Sequence, residues 1–563
     1  MADDGQRQGT TGYEQARRTF RWEAPADYNF ALDVVGTWAE DPEKLAMLWV
    51  GPDGHVERYP FVHFDEQSSR AAHAFEKHGI GQGERVLVML PRVPEWWEAM
   101  LGLMKLGAVG IPCTTLLTPK DIQYRADVAE AVALITDRAG AEKLAQVRAQ
   151  CPTLRLAIVV DEPGADCPAG CVGYHPAVDV ASPTWYGRRT KSDDPCLIYF
   201  TSGTVGYPKM VLHTHASYPL AHTLVTGRYW LDQRPDDLHW NLSEMGWAKA
   251  AWSNFFGPWG HGAALFIQDA RGKFNATETL ELLQRYPITT FCAPPTAYRL
   301  MVQEDLARYA FPALRHCVGA GEPLNPEVIE AWRAATGLTI HDGYGQTETV
   351  LLCGNFPGEE VRPGSMGKPS PGFDLAVIDY DGNELGPDQE GDIAVRVRPE
   401  RPLGLFREYW RNPEAMSRSF KGNWYLTGDR AYRDADGYFW FVGRADDVII
   451  SAGYRIGPFE VESALVEHAA VVEAAVVASP DATRGEIVKA FVILAPGYTP
   501  GEVLAVELQD HVKSVTAPYK YPREIEFVTE LPKTISGKIR RVELRERERR
   551  AKLTGGNDGE PLP

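Results

Sequence analysis

The stretch Tyr199-Phe200-Thr201-Ser202-Gly203-Thr204-Val205-Gly206-Tyr207-Pro208-Lys209 gathers the groups that can hold a polyphosphate. Gly203 and Gly206 let backbone N–H groups close on an anion. Thr201, Ser202 and Thr204 add hydroxyl donors, and Lys209 adds a point charge. The spacing is not that of a P-loop, in which a lysine directly follows glycine and is itself followed by serine or threonine. Here Pro208 precedes Lys209 and Met210 follows it, so a P-loop kinase or GTPase is excluded.

Five more stretches follow in order. They are Gly319-Ala320-Gly321-Glu322-Pro323-Leu324, Asp342-Gly343-Tyr344-Gly345-Gln346-Thr347-Glu348-Thr349, Tyr425-Leu426-Thr427-Gly428-Asp429, Gly443-Arg444-Ala445-Asp446-Asp447 (with Gly453-Tyr454-Arg455-Ile456 after it) and Leu531-Pro532-Lys533-Thr534-Ile535-Ser536-Gly537-Lys538. Over about residues 60–545 the series resembles the acyl- and aryl-CoA synthetases of the adenylate-forming superfamily, and most nearly their medium-chain branch. The resemblance implies an α/β fold. A large body of several subdomains with stacked sheets would carry a small, mobile α+β C-terminal domain.

The resemblance also implies the site. ATP and AMP would be held by Thr201, Ser202, Gly203, Thr204, Gly206, Lys209, Gly321, Glu322, Pro323, Asp342, Gly343, Tyr344, Gly345, Gln346, Thr347, Asp429 and Arg444. Tyr344 offers a ring to a purine, although a core tyrosine is the plain alternative. Asp429 can accept from both ribose hydroxyls, and Arg444 can grip ribose or phosphate oxygens. Glu348 is the expected Mg²⁺ ligand, a hard oxygen beside phosphates. Thr347, Glu348 and Lys538 are the expected catalytic residues, with Lys538 bridging carboxylate and α-phosphate.

The implied reaction has two steps. A carboxylate attacks the α-phosphate of Mg·ATP, and the thiol of CoA then displaces AMP. Asp446 would be the hinge about which the small domain turns between them. Ala452, Gly453, Tyr454, Arg484, Ser514, Lys520 and Arg523 would meet CoA, with Gly453 at the pantetheine tunnel. Trp247, Gly319 and Gly345 would line the acyl pocket. Glycine at 345, where acetate-specific relatives carry tryptophan, would leave room for a short-to-medium or branched acid. Lys249 beside Trp247 and Trp252 is unusual; it either snorkels to the surface or meets a ligand. Alternatives are adenylation for a carrier protein, specificity for aromatic acids, and a non-catalytic nucleotide-binding protein. The presence of Lys209, Glu348, Asp429 and Lys538 argues against the last.

These residues need positioning elements, and the periodicity supplies them. Helices are expected at 64–78 and 94–106, with strands at 85–90, 132–136 and 196–200. Such alternation favours an α/β build with largely parallel sheets. Residues 434–441 read as a turn between strand-like runs. Beyond them come a helix at 458–468, strands at 470–478 and 487–494, a helix at 502–515, a strand at 524–528 and a helix from about 540. The expected division is a polar arm at 1–30, an AMP- and acyl-binding body at 31–445, a C-terminal domain at 446–550 and a tail at 551–563.

The 563 residues carry a net charge of −18, with 44% hydrophobic and 24% charged residues. That balance is globular, and its acidity argues against a nucleic-acid partner. The segment 513–552 runs against the field, with 12 basic and 6 acidic residues. Its end, Arg545-Glu546-Arg547-Glu548-Arg549-Arg550, is either a solvated helix or an anion contact. The eight cysteines lack paired metal-ligand spacing and read as reduced thiols. No run of 18 apolar residues and no signal-like start is present. The expected setting is cytoplasmic, without membrane insertion, as a monomer or homodimer.

Overall fold

The computed structural model describes residues 11–553 apart from 162–164, 202–207, 273, 452–453, 482–483 and 535–537. Two large sheets share a helical layer. The first has nine strands in the order Lys368–Pro369, Leu351–Gly354, Ile340–Gly345, His316–Ala320, Thr290–Ala293, Leu238–Asn241, Ala264–Gln268, Leu45–Val50 and Val56–Pro60. The second has eight, in the order Glu408–Tyr409, Met210–Thr214, Pro195–Phe200, Val109–Pro112, Arg85–Met89, Ala133–Asp137, Leu156–Val160 and Val172–Gly173. Most pairings of both are parallel, as the strand–helix alternation predicts; the antiparallel ones lie at Leu351–Gly354 and Lys368–Pro369, Val56–Pro60, and Met210–Thr214 with Glu408–Tyr409.

Helices Phe61–Lys77 and Pro94–Leu106 pack tightly between the sheets. Gly102 permits this: a Cβ there would stand 2.9 Å from Ala71 Cβ and 3.1 Å from the Ser68 carbonyl. One apolar core joins Met47 and Leu265 of the first sheet to Val86 and Ile135 of the second through Trp96 and Trp97. The first helix starts three residues before its expected position, because extended Pro60 already sets its entry. The second spans the expected residues.

A third, antiparallel sheet contains Leu375–Ile378, Gly391–Arg396, Trp424–Arg433, Phe420–Lys421 and Phe439–Arg444. The expected turn at 434–441 joins its last long hairpin, where Asp434 N donates to the Tyr438 carbonyl at 2.9 Å. A fourth sheet combines Tyr454–Ile456, Ile449–Ser451, Gly485–Leu494, Val471–Asp481 and Glu524–Phe527. Helices Pro458–Val466, Glu502–Val515 and Arg541–Leu553 complete this cap, which has its own core around Val461, Leu465, Val476 and Leu508.

The sign-alternating C-terminal helix is neither free nor uniformly solvated. Glu548 is 2% exposed and accepts from Ser479 Oγ at 3.0 Å and Lys489 Nζ at 2.7 Å. Arg541 Nη2 donates to Glu462 Oε2 at 2.6 Å. Arg549 and Arg550 face outward.

Part of the N-terminal stretch is docked. Tyr13 Oη donates to the Pro369 carbonyl at 2.8 Å, and Trp22 Nε1 to the Gly372 carbonyl at 2.7 Å. All eight cysteines are free thiols, six of them buried. No described helix is long and apolar enough to cross a membrane.

Candidate active site

The site candidates converge where the first sheet, the third sheet and the cap meet. Strand Ile340–Gly345 delivers Tyr344, and strand Trp424–Arg433 delivers Asp429. Asp429 is 3% exposed. Tyr344 Oη donates to its Oδ2 at 2.5 Å, and Gln346 Nε2 donates to the same oxygen at 2.8 Å. Arg444, opposite Asp429 in the hairpin register, brings Nε to 3.2 Å from Oδ1. Burial pushes the Asp429 carboxyl above the usual carboxylate range, while Arg444, Tyr344 and Gln346 oppose that. The result is a fixed pair of acceptor oxygens in a dry wall.

The Gln346–Thr349 turn is held from three sides. Thr349 N donates to the Gln346 carbonyl at 3.2 Å, and Gln346 N to Thr349 Oγ1 at 2.9 Å. His213 Nε2 lies 2.7 Å from the Thr347 carbonyl, and Phe406 N donates to the Glu348 carbonyl at 2.8 Å. Tyr409 Oη donates to Glu348 Oε1 at 2.8 Å, and the Lys209 ammonium sits 4.8 Å from the Tyr409 ring. Burial raises the Glu348 carboxyl, and Tyr409, Lys209 and Arg444 pull it back. Thr201 N donates to the Lys209 carbonyl at 2.9 Å, closing the base of the Gly-rich loop. Ser202, Gly203, Thr204 and Gly206 lie outside the described residues.

On the other side, Gly321 has φ +103°, a conformation that suits glycine. It turns the chain so that Glu322 accepts from Thr296 Oγ1 at 3.1 Å and from Arg299 Nη2 at 3.2 Å. Asn325 Nδ2 then crosses to the cap, donating to Ser463 Oγ at 3.2 Å. Asp342 is turned inward and accepts from Gly343 N at 2.9 Å. Burial pushes its carboxyl up to about 8, so it is an internal group and not an exposed acceptor.

Lys538 comes from the cap. Its loop closes on itself: Thr534 N donates to the Lys538 carbonyl at 2.7 Å, and Lys538 N to Thr534 Oγ1 at 3.1 Å. The residue is exposed on the cap loop. Neighbouring protein lowers the ammonium pKa, with Arg444 acting in the same sense and Glu322 and Asp429 opposing. The charges of Glu322, Asp429 and Arg444 on the body thus act on Lys538 of the cap. At the expected hinge Asp446 is exposed, whereas Asp447 is buried and paired with Arg545 of the last helix. Asp447 N donates to the Arg444 carbonyl at 2.9 Å, so the chain turns at 444–447.

The CoA candidates lie on the cap. The rings of Tyr454 and Tyr519 stack at 4.4 Å, and Lys520 pairs with Glu460. The Arg523 guanidinium sits 4.9 Å from the Tyr521 ring. Arg484 N donates to Asp481 Oδ1 at 2.8 Å, and the hydroxyl of exposed Ser514 donates to the His511 carbonyl of its own helix at 2.7 Å. Ala452 and Gly453 fall outside the described residues.

The acyl-pocket expectations need the most correction. Lys249 does not snorkel. Its Nζ turns inward and donates to the Ala320 carbonyl at 2.7 Å. A Cβ on Gly319 would meet Leu324, Ile340 and Tyr298, in the core on one face of its strand. On the opposite face, Val318 and Ala320 join Trp230, Cys292 and Leu351, with Trp252 packed against them. Gly345 is glycine for a local reason, since a Cβ would stand 2.9 Å from the Val350 carbonyl. Trp247 is half-buried at the start of the helix that carries Lys249. Tyr409 was missed by sequence reasoning. Its only signal was an aromatic run, Phe406-Arg407-Glu408-Tyr409-Trp410, between two motifs.

Comparison with known proteins agrees with this geometry. The family model described as AMP-binding enzyme matches residues 36–410, and that described as AMP-binding enzyme C-terminal domain matches 460–538. Acyl-coenzyme A synthetase ACSM3, mitochondrial, of Pongo abelii is 49% identical over 550 residues, covering 96% of this chain and 93% of the relative. Acyl-coenzyme A synthetase ACSM4, mitochondrial, of Homo sapiens is 47% identical, covering 94% and 92%. The anthranilate CoA ligase AuaEII, solved with anthranoyl-AMP, superposes with a TM-score of 0.86 at 32% identity over 94% of this chain and 99% of its own. The acyl-CoA synthetase of Brucella canis gives 0.74 at 37% identity over 96% and 99%. With the body and cap motifs converging as described, the chain belongs to the AMP-binding enzymes, in the medium-chain acyl-CoA synthetase branch, and is an AMP-forming acid–CoA ligase.

Proposed function

We propose that this ligase activates a short-to-medium or branched carboxylic acid in two half-reactions on one site, with the cap repositioned between them. The reading is carried by the contact of body and cap beside the Gly321-Glu322 turn, where Asn325 Nδ2 donates to Ser463 Oγ at 3.2 Å, and by the charges of Glu322, Asp429 and Arg444 that act on Lys538. In the first half-reaction Asp429 accepts from the ribose hydroxyls, and Tyr344 and Gln346 fix its oxygens. Lys538 and Arg444 neutralise charge that grows on the α-phosphate as the carboxylate attacks. No protein nucleophile is required. Positioning and electrostatics do the chemistry.

Mg²⁺ fits Glu348. This carboxylate is buried, oriented by Tyr409 and set beside Lys209. Among the described residues no group of three His, Cys, Asp or Glu could hold a metal. A magnesium ion would therefore be shared between Glu348 and phosphate oxygens. When bound, it neutralises phosphate charge.

In the second half-reaction the cap turns about Asp446 and presents Tyr454, Arg484, Ser514, Lys520 and Arg523 to CoA. The acyl chain lies against Trp247, which is half-buried at the start of helix Ala248–Ala251. A pyrophosphate-release screen from acetate to decanoate, with branched acids and benzoates, tests the reading. It should return CoA-dependent thioester with C4–C8 or branched acids; release confined to benzoates, or no dependence on free CoA, would overturn it. The cytoplasmic setting is an inference from composition beside relatives whose names include "mitochondrial", and cell fractionation decides it.

A further inference from the structure

Lys249 has no part in the mechanism above, yet its position is unusual. It sits on the short helix Ala248–Ala251, directly after Trp247, and belongs to the body. Its Nζ reaches the carbonyl of Ala320, the last residue of strand His316–Ala320, where the chain turns into Gly321-Glu322. An ammonium has three donors, and among the described residues the Ala320 carbonyl takes one. The groups that act on its charge are Cys292 and Asp342 from neighbouring strands, Glu322 from the turn and Lys538 from the cap. Burial lowers the Lys249 pKa, with Lys538 acting in the same sense and the three acidic groups opposing. Lys249 is therefore anchored to the body through the Ala320 carbonyl, one residue before the Gly321-Glu322 turn, and its charge and that of Lys538 act on each other.

The placement matters for the second half-reaction. If the cap turns, Lys538 leaves with it, and the acyl-adenylate then needs a cation that stays. We infer that Lys249 is that cation: Nζ donates to the acyl carbonyl oxygen and stabilises the oxyanion that forms when CoA adds. In this step the CoA thiol loses its proton to solvent and its sulfur forms a C–S bond. The carbonyl π pair moves to oxygen. Collapse of the tetrahedral adduct breaks the acyl C–O bond, and AMP departs with that electron pair. A preorganised donor at such an oxyanion is worth about 10²–10³ in rate. The inference rests on the two-conformation reading above.

The test is a single-turnover measurement of thioester formation from supplied acyl-adenylate and CoA. Lys249→Gln retains a donor for the Ala320 carbonyl but removes the charge. It should slow this step about 100-fold, with acyl-adenylate affinity changed only a few-fold. Lys249→Arg, which keeps a charge, should recover at least tenfold of the loss. Lys538→Ala should leave the step near the parent rate. Lys249→Gln at the parent rate, with only acid selectivity altered, would reduce Lys249 to a pocket wall and overturn the inference. So would an Arg variant as slow as the Gln variant while both bind AMP normally. A slow Lys538→Ala would mean that Lys538 stays for this step; it would sink the two-conformation reading and the inference with it, whatever the Lys249 variants give.

Discussion

Tyr344 and Asp429, 85 residues apart in sequence, share a 2.5 Å hydrogen bond that welds the nucleotide strand of the first sheet to the third sheet. The bond helps to keep Asp429 ionised against its burial. Removing it should raise the Asp429 pKa further. Since the ionised form is the proposed acceptor for ribose, ATP binding should weaken as pH falls through that pKa. Tyr344→Phe is expected to move the acidic limb of the kcat/KM profile for ATP to higher pH. At neutral pH the loss should be about 1–2 kcal/mol, or 5–30-fold. An unchanged acidic limb would remove Tyr344 from this role.

Tyr409→Phe tests the other carboxylate. The hydroxyl holds one oxygen of Glu348 and lowers its pKa. Without it Glu348 becomes easier to protonate and freer to turn. The Mg²⁺ concentration for half-maximal adenylation should rise about 5–20-fold, a loss of roughly 1–2 kcal/mol. The KM for the acid should hold. A parallel rise in both constants would mean that Tyr409 supports the fold of the site and not its metal.

Much of this was legible in the residues because the chemistry is carried by short contiguous motifs. Glycine, hydroxyl and charge at fixed spacing point to phosphate whatever lies around them. Helix Pro94–Leu106 and helix Glu502–Val515 were bounded by their own apolar periodicity. Long-range facts were not legible. Glu548 reads as one charge in an alternating run, and only packing against Ser479 and Lys489 makes it a buried anchor. Lys249 reads as a lysine that either snorkels to the surface or meets a ligand, until strand His316–Ala320 supplies a carbonyl. Gly345 reads as space for substrate, and the nearness of the Val350 carbonyl, 2.9 Å from where a Cβ would stand, is a further reason for glycine there that its own motif does not show. In each case the deciding partner lies tens of residues away and leaves no local signature.

The turn at 444–447 makes a stability prediction. Arg545 of the last helix pairs with Asp447, and both side chains are largely buried. Removing one partner strands the other charge. Arg545→Leu should destabilise the cap by about 3–5 kcal/mol, and the double variant with Asp447→Leu should recover much of that. Differential protection of cap amides in hydrogen exchange reads the effect. Equal loss across body and cap, or no recovery in the double variant, would show that the pair does not act locally.

Asp342 yields a pH dependence with a definite sign. Burial raises its carboxyl from the ordinary 3.8 to about 8. The folded protein therefore keeps a proton that the unfolded chain gives up above pH 4. The folded state binds more protons, so its stability must fall as pH rises from about 4 toward 8. Between pH 6 and pH 8 this single group contributes a loss of about 2 kcal/mol. Asp342→Asn mimics the protonated acid and can still accept from Gly343 N. Chemical unfolding of the ligand-free protein at the two pH values should therefore give a slope shallower by about that amount in the variant. Coincident slopes would place the Asp342 pKa in the ordinary range and return its carboxylate to the candidates for direct contact with nucleotide.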